Sequence, residues 1–229
     1  MVEPLLQAEN LSKVYETGPE RTVALADVSL RVEKGGFVAV LGPSGSGKTT
    51  LLSLLGGLDR PTTGRVYLDG LDISALDEKR LSQIRRRRVG MVFQTYNLAD
   101  ELTVVENVEL PLLFEGKPSS EMRKRALGLL GQVGLSHKAG RRPFQLSSGE
   151  QQRAAVARAL ANQPSLVLMD EPTGNLDQEN SDVLMSLVKT MNLEKGVALV
   201  IATHNMNIAG QALSQVILKS GRIASVHSN

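Results

Sequence analysis

The stretch of sequence that decides the fold reads Phe37-Val38-Ala39-Val40-Leu41-Gly42-Pro43-Ser44-Gly45-Ser46-Gly47-Lys48-Thr49. Its leading apolar residues predict a buried strand, and the residues from Thr50 to Leu55 predict a helix. Between them lies the pattern G-x-x-x-x-G-K-[ST]. Glycines allow the backbone to close around an anion, and the N-terminus of the following helix directs N–H groups at it. The stretch therefore predicts a loop that binds phosphate groups.

Two side chains of this loop indicate a nucleotide with a metal ion. Lys48 supplies a cation for the β- and γ-phosphates, and the Thr49 hydroxyl is placed to ligate Mg²⁺. The alternative is a glycine-rich turn that only joins a strand to a helix. A chance match in a chain of this length occurs on the order of once in a hundred, and the flanking strand and helix make it rarer.

The composition limits the other kinds of chemistry. The chain has 229 residues, with 26 Lys and Arg against 24 Asp and Glu, which is ordinary for a globular domain. It has no cysteine and three histidines, which excludes disulfide scaffolds, thiol catalysis and Cys-based zinc sites. The apolar runs fall short of the roughly 18 residues that span a bilayer, and the N-terminus does not resemble a signal peptide. We expect one domain located in the cytosol.

Three more apolar stretches predict strands of the same sheet: Val89 to Phe93, Leu166 to Met169 and Val197 to Thr203. Helical patterns lie between them, and strands that alternate with helices favour a parallel sheet covered on both faces.

Polar side chains follow each of these strands. Gln94 follows the first, Asp170 and Glu171 follow the second, and His204 follows the third. Because the carboxyl ends of parallel strands meet at one edge, we expect all of them beside Gly42 at a single phosphate-sized opening. Asp170 can then reach Mg²⁺, and Glu171 can orient or deprotonate an attacking water. Taken alone, each of these residues is more typical of a solvated loop or a cap.

Two regions depart from the parallel pattern. They are the first 35 residues, in which Ala24 to Val32 alternates loosely, and Arg65 to Ile73, which contains the turn Asp69-Gly70; together they predict a small antiparallel sheet. Residues 95–161 show two helical patterns and no convincing strand, so they predict an inserted helical subdomain. Residues 1–94 and 162–229 then form the core. The short, mostly polar end of the chain, Val226 to Asn229, is expected to fray.

The helical pattern from Ser147 to Ala161 begins with Ser147-Ser148-Gly149-Glu150-Gln151. Ser147 and Glu150 match the capping box S-x-x-E, which accounts for the segment as an ordinary helix start. A helix N-terminus with small residues and a serine hydroxyl also suits an anion, so both interpretations stand.

Taken in order along the chain, these motifs resemble the ATP-binding subunits of ABC transporters, over essentially the whole span from Tyr15 to Ile223. The resemblance implies an α/β P-loop NTPase fold of RecA type, with ATP and Mg²⁺ as ligands. It implies the catalytic residues Lys48, Gln94, Glu171 and His204. It implies the metal ligands Thr49, Gln94 and Asp170. It implies the nucleotide-binding residues Tyr15, Gly42, Pro43, Ser44, Gly45, Ser46, Gly47, Lys48, Thr49, Thr50, Ser147, Ser148, Gly149, Gln151 and Asp177.

The same resemblance implies the partners. Two copies would sandwich two ATP molecules head to tail, and a membrane permease would dock near residues 94–114, which places the protein on the cytoplasmic face of the cell membrane. The segments around Gly56-Gly57-Leu58-Asp59-Arg60 and Leu110-Pro111-Leu112-Leu113 resemble the lipoprotein-release and macrolide-export branch. The run Arg85 to Arg88 would suit nucleic acid, but Asp77 and Glu78 at the other end of its helical pattern favour a solvated helix end. We predict no nucleic-acid partner.

Two residues depart from the family pattern. Ser148 replaces a glycine in the motif Leu-Ser-Gly-Gly, which predicts weaker nucleotide sandwiching, and Asn205 replaces an aspartate after His204. Two alternative functions remain open. One is a soluble, ATP-switched clamp without a permease, although this class usually carries two cassettes or a long coiled coil. The other is an ATP-binding regulator with little catalytic activity, which only Ser148 suggests.

Overall fold

Two β-sheets and seven α-helices form the part of the chain described by the computed structural model, residues 3–18 and 20–228. The strands are β1 (Leu6–Thr17), β2 (Glu20–Val32), β3 (Phe37–Leu41), β4 (Thr63–Leu68), β5 (Leu71–Asp72), β6 (Val89–Val92), β7 (Leu166–Asp170), β8 (Ala198–Thr203), β9 (Ser214–Lys219) and β10 (Arg222–Ser228). The helices are α1 (Lys48–Leu55), α2 (Glu78–Arg88), α3 (Val104–Leu113), α4 (Ser119–Gln132), α5 (Ser148–Ala159), α6 (Gln178–Lys195) and α7 (Met206–Ala209). The predicted α/β class is confirmed.

The larger sheet has the order β10-β9-β3-β8-β7-β6, and its strands from β9 to β6 are parallel. Every residue of β3 and β8 is buried, as expected for strands covered on both faces. Val38 and Val40 of β3 pack with α1 and the smaller sheet, whereas Ala39 and Leu41 pack with the helices on the opposite face. This alternation places the phosphate loop at the carboxyl end of a doubly covered central strand.

The predicted core strands are present, with small differences at their ends. β6 ends at Val92, one residue before the predicted end, and β8 begins at Ala198 rather than Val197. β7 continues through Asp170, which pairs with Ala202 of β8. Asp170 is therefore the last residue of a strand and not the first residue of a loop.

An antiparallel hairpin, β9 and β10, closes one edge of this sheet. β9 pairs with β3, and in β10 Val226 pairs with Val216. The expectation that the chain frays from Val226 is wrong for residues 226–228, whereas Asn229 lies outside the described residues. The alternating exposure of β10 explains the error, because a largely exposed edge strand has no apolar run.

The smaller sheet is antiparallel, with the order β2-β1-β4-β5, as predicted. β4 and β5 are joined by Asp69 (φ 53) and Gly70 (φ 78), both of which have positive φ. Two such residues define the type I′ turn that Asp-Gly favours. The longest strands, β1 and β2, bring Tyr15 and Ala24 towards the phosphate loop.

Residues 95–161 contain α3, α4 and α5 and no strand, and the structure describes all of them. α3 was not predicted, because Pro111 interrupts its sequence pattern. A capping box between Thr103 and Glu106 starts the helix. Asn107 is fully buried and donates to the carbonyl groups of Ala99, Leu102 and Thr103, so one amide fixes the loop that precedes α3.

The longest helix, α6, was also not predicted. Asp177 caps its N-terminus and Gly196, in the left-handed conformation, ends it. Its buried side chains pack on the sheet face that the helical segment also covers; they include Leu184, Val188 and Met191. Across the described residues, none of the helices combines the length and apolar character that a bilayer span requires.

Candidate functional site

The predicted phosphate loop joins β3 to α1 and requires glycine at two positions. A Cβ at Gly42 would lie 2.3 Å from the carbonyl oxygen of Leu218, and a Cβ at Gly47 would lie 2.6 Å from that of Ala24. Gly47 also has a φ of 101, which side chains rarely adopt. These glycines let the loop lie directly against β9 and β2.

The start of α1 is suited to an anion. Five other helices begin at a residue whose side chain accepts a hydrogen bond from a backbone N–H of the first turn: Asp77, Thr103, Ser147, Asp177 and Asn205. α1 begins at Gly47 instead, with no such side chain and no acidic residue in its first turn among the described residues. Its first N–H groups and its positive dipole end therefore face the loop.

Ser46 adds a polar group inside the loop. Its side chain is 3% exposed, and within the described part of the chain its Oγ has no hydrogen-bond partner. Pro43, Ser44 and Gly45 form the exposed outer part of the loop. A buried hydroxyl without a partner is costly, so this atom fits a polar ligand in the loop.

Lys48 crosses the loop. Its Nζ donates to the carbonyl oxygen of Gly42 at 2.8 Å and to that of Pro43 at 3.2 Å, and it lies 3.6 Å from Oε1 of Glu171. The lysine side chain is nearly buried. The cation is thus held in the phosphate loop and faces the end of β7.

Thr49 and Asp170 meet across 121 residues of sequence. The Thr49 hydroxyl donates to Oδ2 of Asp170 at 2.7 Å. Burial raises the pKa of Asp170 above its ordinary value and the charge of Glu171 adds to this, while the hydrogen bond from Thr49 and the charge of Lys48 partly oppose it. A hydroxyl and a carboxylate at this distance are the hard oxygen donors that Mg²⁺ prefers.

Glu171 links the lysine to the histidine. Its Oε2 lies 2.9 Å from Nδ1 of His204 and accepts the backbone N–H of His204 at 3.3 Å. The Glu171 backbone has a φ of 44, and its N–H donates to the carbonyl of Ala202. Residues other than glycine rarely adopt this left-handed backbone conformation, and those that do are concentrated at functional sites. Lys48, Glu171 and His204 therefore form one continuous set of contacts.

Gln94 lies beyond β6 against the segment that follows Glu171. The backbone carbonyl oxygen of Gln94 accepts a hydrogen bond from Nδ2 of Asn175 at 3.2 Å. Its side-chain Nε2 lies 3.2 Å from the position that a Cβ would occupy at Gly174. The Gln94 side chain is exposed. The structure thus places it at the same edge of the sheet as Asp170 and Glu171.

Tyr15 is 40% exposed on β1. Its hydroxyl donates to Oδ2 of Asp59 at 2.9 Å, and Nζ of Lys13 lies 4.8 Å from the ring centroid. Burial and Asp59 raise the pKa of Tyr15, and the nearby side chain of Thr50, in the first turn of α1, partly opposes this rise. The tyrosine is therefore adjacent to the phosphate loop.

The segment Ser147 to Gln151 contacts a different part of the chain. Ser147 caps α5, with the capping box to Glu150 that the sequence predicted, and Gln151 donates to the carbonyl of Leu146. A Cβ at Gly149 would lie 2.5 Å from Oδ1 of Asn180, so α5 begins in direct contact with the start of α6. Within the described residues, the side-chain hydrogen bonds of Ser147 and Gln151 are made with residues 146–150.

Asp177 caps α6 beside that contact. It accepts from the backbone N–H of Asn180 at 2.8 Å and from its Nδ2 at 3.0 Å, and these hydrogen bonds lower the pKa of Asp177. Oδ1 of Asn180 accepts from Arg153 of α5 at 3.2 Å. Asn180 therefore joins Asp177 to the start of α5, a role that sequence analysis did not identify.

The arginine run at the end of α2 has internal partners. Arg85 donates to the carbonyl of Gly57, Arg86 to that of Phe114, Arg87 pairs with Glu115 and Arg88 with Asp69. The predicted helix end is present and partly solvated. Its arginines also hold α2 against the end of α3, which the sequence did not indicate.

A groove of about 390 Å³ lies between the core and the helical segment. Its apolar wall is formed by Leu58, Met91, Phe93, Leu110, Pro111 and Phe114. Leu58 and Phe114 are 48% and 60% exposed. Arg85, Arg86 and Arg158 supply the charges of its lining.

Comparison with known proteins finds similarity along nearly the whole chain. A family profile described as ABC transporter matches residues 25–174. An uncharacterized ABC transporter ATP-binding protein of Thermotoga maritima is 44% identical over 225 residues, which cover 98% of this chain and 96% of that protein. The lipoprotein-releasing system ATP-binding protein LolD of Pseudomonas syringae pv. tomato is 46% identical over 219 residues, 96% of each chain.

One solved structure is a close match in fold. It is the dimeric structure of a post-hydrolysis state of the ATP-binding cassette MJ0796, bound to ADP and Pi, from Methanocaldococcus jannaschii. It matches with a TM-score of 0.92 at 43% identity and covers 97% of this chain and 98% of that chain. The residues that the family profile matches, 25–174, include the phosphate loop and the ends of β3, β6 and β7.

Proposed function

The chain belongs to the ABC transporter family as an ATP-binding protein, and from this membership we propose that it hydrolyses ATP to drive a membrane permease. The observation that carries this proposal is the convergence of Lys48, Glu171 and His204 beside the phosphate loop. A carboxylate between a cation and an imidazole supplies the positioning and charge stabilisation that phosphoryl transfer needs.

The residues of the phosphate loop and those at the ends of the strands have different proposed roles. Gly42 to Thr50 bind the phosphates through backbone N–H groups and Lys48. Thr49, Asp170 and Gln94 are the proposed ligands of Mg²⁺, which would neutralise charge on the phosphate oxygens. Glu171 orients the attacking water and accepts its proton, and His204 holds the Glu171 carboxylate.

Tyr15 is the proposed platform for adenine. Its half-exposed ring stands beside Thr50, on the side of the loop from which α1 begins. An aromatic ring can stack on any nucleotide base, because every base has a π-face.

A second copy of the chain would complete the site. Ser147, Ser148 and Asp177 are exposed at the adjoining starts of α5 and α6, which suits a shared surface that faces another molecule. We propose that Ser147, Ser148, Gly149 and Gln151 bind the nucleotide held by the partner copy. The solved relative MJ0796 is described as dimeric, which supports this arrangement.

The groove between the core and the helical segment is the proposed permease site. It includes Asn97, Leu110 and Phe114 of the predicted docking region 94–114, and its exposed apolar wall suits a short segment of a partner protein. Two similar proteins are named lipoprotein-releasing system ATP-binding proteins, which favours the lipoprotein-release and export branch. The protein would then sit on the cytoplasmic face of the membrane through this permease.

Replacing the proposed base tests the enzymatic function. Glu171→Gln in the full chain should reduce ATP turnover about 100-fold or more, because the amide cannot accept a proton. ATP binding should persist, and the dimer should accumulate. Glu179→Gln, an exposed substitution on α6, serves as the matched control.

Two outcomes contradict the proposal. Equal turnover by the wild-type chain and Glu171→Gln would favour a regulator with little catalytic activity. Loss of ATP binding in Glu171→Gln would place this carboxylate in nucleotide binding and not in hydrolysis.

A further inference from the structure

Tyr15 is anchored by a residue far away in the sequence. Its hydroxyl donates to Oδ2 of Asp59, which lies after α1 in the loop that leads to β4. The same loop is joined to β1 at two further points. The backbone N–H of Val14 donates to Thr62 Oγ1 at 3.0 Å, and the N–H of Thr62 donates to the carbonyl of Ser12 at 2.8 Å. Asp59 is therefore held at a fixed place beside the tyrosine.

Lys13 completes the anchor. Its Nζ lies 2.7 Å from Oδ1 of Asp59 and 2.8 Å from the carbonyl oxygen of Arg60, and it stands over the Tyr15 ring. Lys13 and Tyr15 are two residues apart on one strand, so their side chains leave the same face. One carboxylate thus holds both the hydroxyl of the ring and the cation that covers one ring face.

This cluster is built on the helix that carries the phosphate loop. The backbone N–H of Asp59 donates to the carbonyl of Ser53 in α1 at 3.3 Å, so the carboxylate that holds the Tyr15 hydroxyl is itself attached to this helix. The orientation of the ring is therefore set relative to α1 itself. Helix α1 therefore also sets the distance between a base stacked on the ring and phosphates bound at Gly42 to Thr49.

We propose that Lys13 and Asp59 are positioning residues that hold the Tyr15 ring ready to stack on the purine of the nucleotide. This inference rests on the proposed function, in which Tyr15 is the adenine platform. Lys13 covers one face of the ring, and the purine stacks on the other. A ring that is already ordered spares the nucleotide the entropy of ordering it, which raises affinity without a new contact.

The ion pair between Lys13 and Asp59 alone would contribute little to stability, because the cost of removing both charges from water offsets much of their attraction. Burial acts to raise the pKa of Asp59, but the hydrogen bonds from Lys13 and Tyr15 outweigh it and hold the pKa below its ordinary value. Asp59 therefore stays ionised at neutral pH and keeps both partners. Its role is to fix the geometry of the ring.

The test separates the base from the phosphates. Dissociation constants are measured for ATP and for inorganic tripolyphosphate, which has no base, in the full chain. Asp59→Ala and Lys13→Met should each weaken ATP binding about two- to tenfold. Tripolyphosphate binding should not change. Asp69→Asn is the matched control, because Asp69 also pairs with a lysine in this part of the protein.

A double-mutant cycle with Tyr15→Ala shows whether the two residues act through the ring. In the Tyr15→Ala chain, adding Asp59→Ala or Lys13→Met should cost no further ATP affinity, since there is no ring to hold. A merely structural role would cost affinity in both backgrounds.

The outcomes are distinguishable. If Tyr15→Ala binds ATP as tightly as the wild type, the adenine platform itself is wrong. If Tyr15→Ala weakens binding but Asp59→Ala and Lys13→Met do not, only the positioning role fails. It also fails if these variants weaken tripolyphosphate binding equally, or if their cost persists without the ring.

Discussion

Nδ1 of His204 lies 2.9 Å from Oε2 of Glu171, and the opposite carboxylate oxygen faces Nζ of Lys48 at 3.6 Å. The Glu171 side chain is 14% exposed and that of His204 is 73% exposed. A nearly buried carboxylate is thus held between a buried cation and an exposed imidazole. The imidazole is the partner that can change without disturbing the core.

Replacing the histidine should therefore affect chemistry more than folding. We expect His204→Ala to lower ATP turnover about 100-fold, since Glu171 loses the group that orients it, and to leave ATP affinity and the Tm close to those of the wild type. Steady-state kinetics and a binding titration measure the two effects. His137→Ala, at another exposed histidine, should leave turnover unchanged. Equal turnover in both variants would remove His204 from the mechanism.

The contact between Gly149 and Asn180 predicts a steric effect that a second substitution relieves. Gly149→Ala places a Cβ 2.5 Å from Oδ1 of Asn180 and should destabilise the fold by about 1–3 kcal/mol, the usual cost of overpacking. Asn180→Ala in the same chain removes the obstructing amide and should restore much of the Tm.

Gly128→Ala is the control for this pair. A Cβ at Gly128, inside α4, would meet no described atom within 4 Å. It should therefore stabilise the helix by about 0.5–1 kcal/mol. If Gly149→Ala is as stable as the wild type, or if Asn180→Ala does not help it, the contact does not restrict residue 149.

Ser148 stands where the motif Leu-Ser-Gly-Gly has a glycine, and replacing it by glycine tests whether it weakens nucleotide binding between two copies. Ser148 is exposed, and its φ is not among the positive values, so its Cβ causes no strain within the chain. We expect Ser148→Gly to tighten ATP-dependent dimerisation of Glu171→Gln about three- to tenfold, roughly 1 kcal/mol, because the proposed dimer places this Cβ beside the phosphates. Sedimentation with ATP measures this. Unchanged or weaker dimerisation would show that Ser148 does not hinder the nucleotide.

The core of the fold could be predicted because its signals are local. The residues from Phe37 to Thr49 contain a buried strand and its phosphate loop in one uninterrupted stretch. The other parallel strands are short apolar runs with polar ends. Because parallel strands share an edge, the position of Asp170 and of His204 followed from topology alone.

Helices and strands whose sequence patterns are weak or interrupted could not be predicted from the sequence. Pro111 breaks the apolar pattern of α3, and β10 is an exposed edge strand that is held mainly by backbone hydrogen bonds. The contacts of Asp59 with Tyr15, and of Asn180 with Gly149, join residues that are distant in the sequence. A periodic pattern carries no information about such pairs.

The effect of Asp170 on stability should depend on pH, because burial raises the pKa of this carboxyl group in the ligand-free protein. A carboxyl group whose pKa is raised by folding favours the folded state below the ordinary pKa of Asp, and this contribution is lost as the pH rises through the raised value. At neutral pH the buried, ionised Asp170 therefore destabilises the protein. Asp170→Asn should raise the Tm at pH 7 by about 2–4 °C, the shift that about 1 kcal/mol produces in a domain of this size.

This gain should shrink as the pH falls through the raised pKa of Asp170 and should be lost by the ordinary pKa of Asp, because the folded wild-type side chain becomes neutral over this range. Asp177→Asn is the matched control. Folding lowers the pKa of Asp177, so its ionised form stabilises the helix start above that pKa, and its replacement should not raise the Tm at pH 7. Asp170→Asn should also lose Mg²⁺-dependent turnover, because an amide is a poorer ligand than a carboxylate. A lower Tm at pH 7 in Asp170→Asn would mean that the hydrogen bond from Thr49 outweighs the cost of burying the charge.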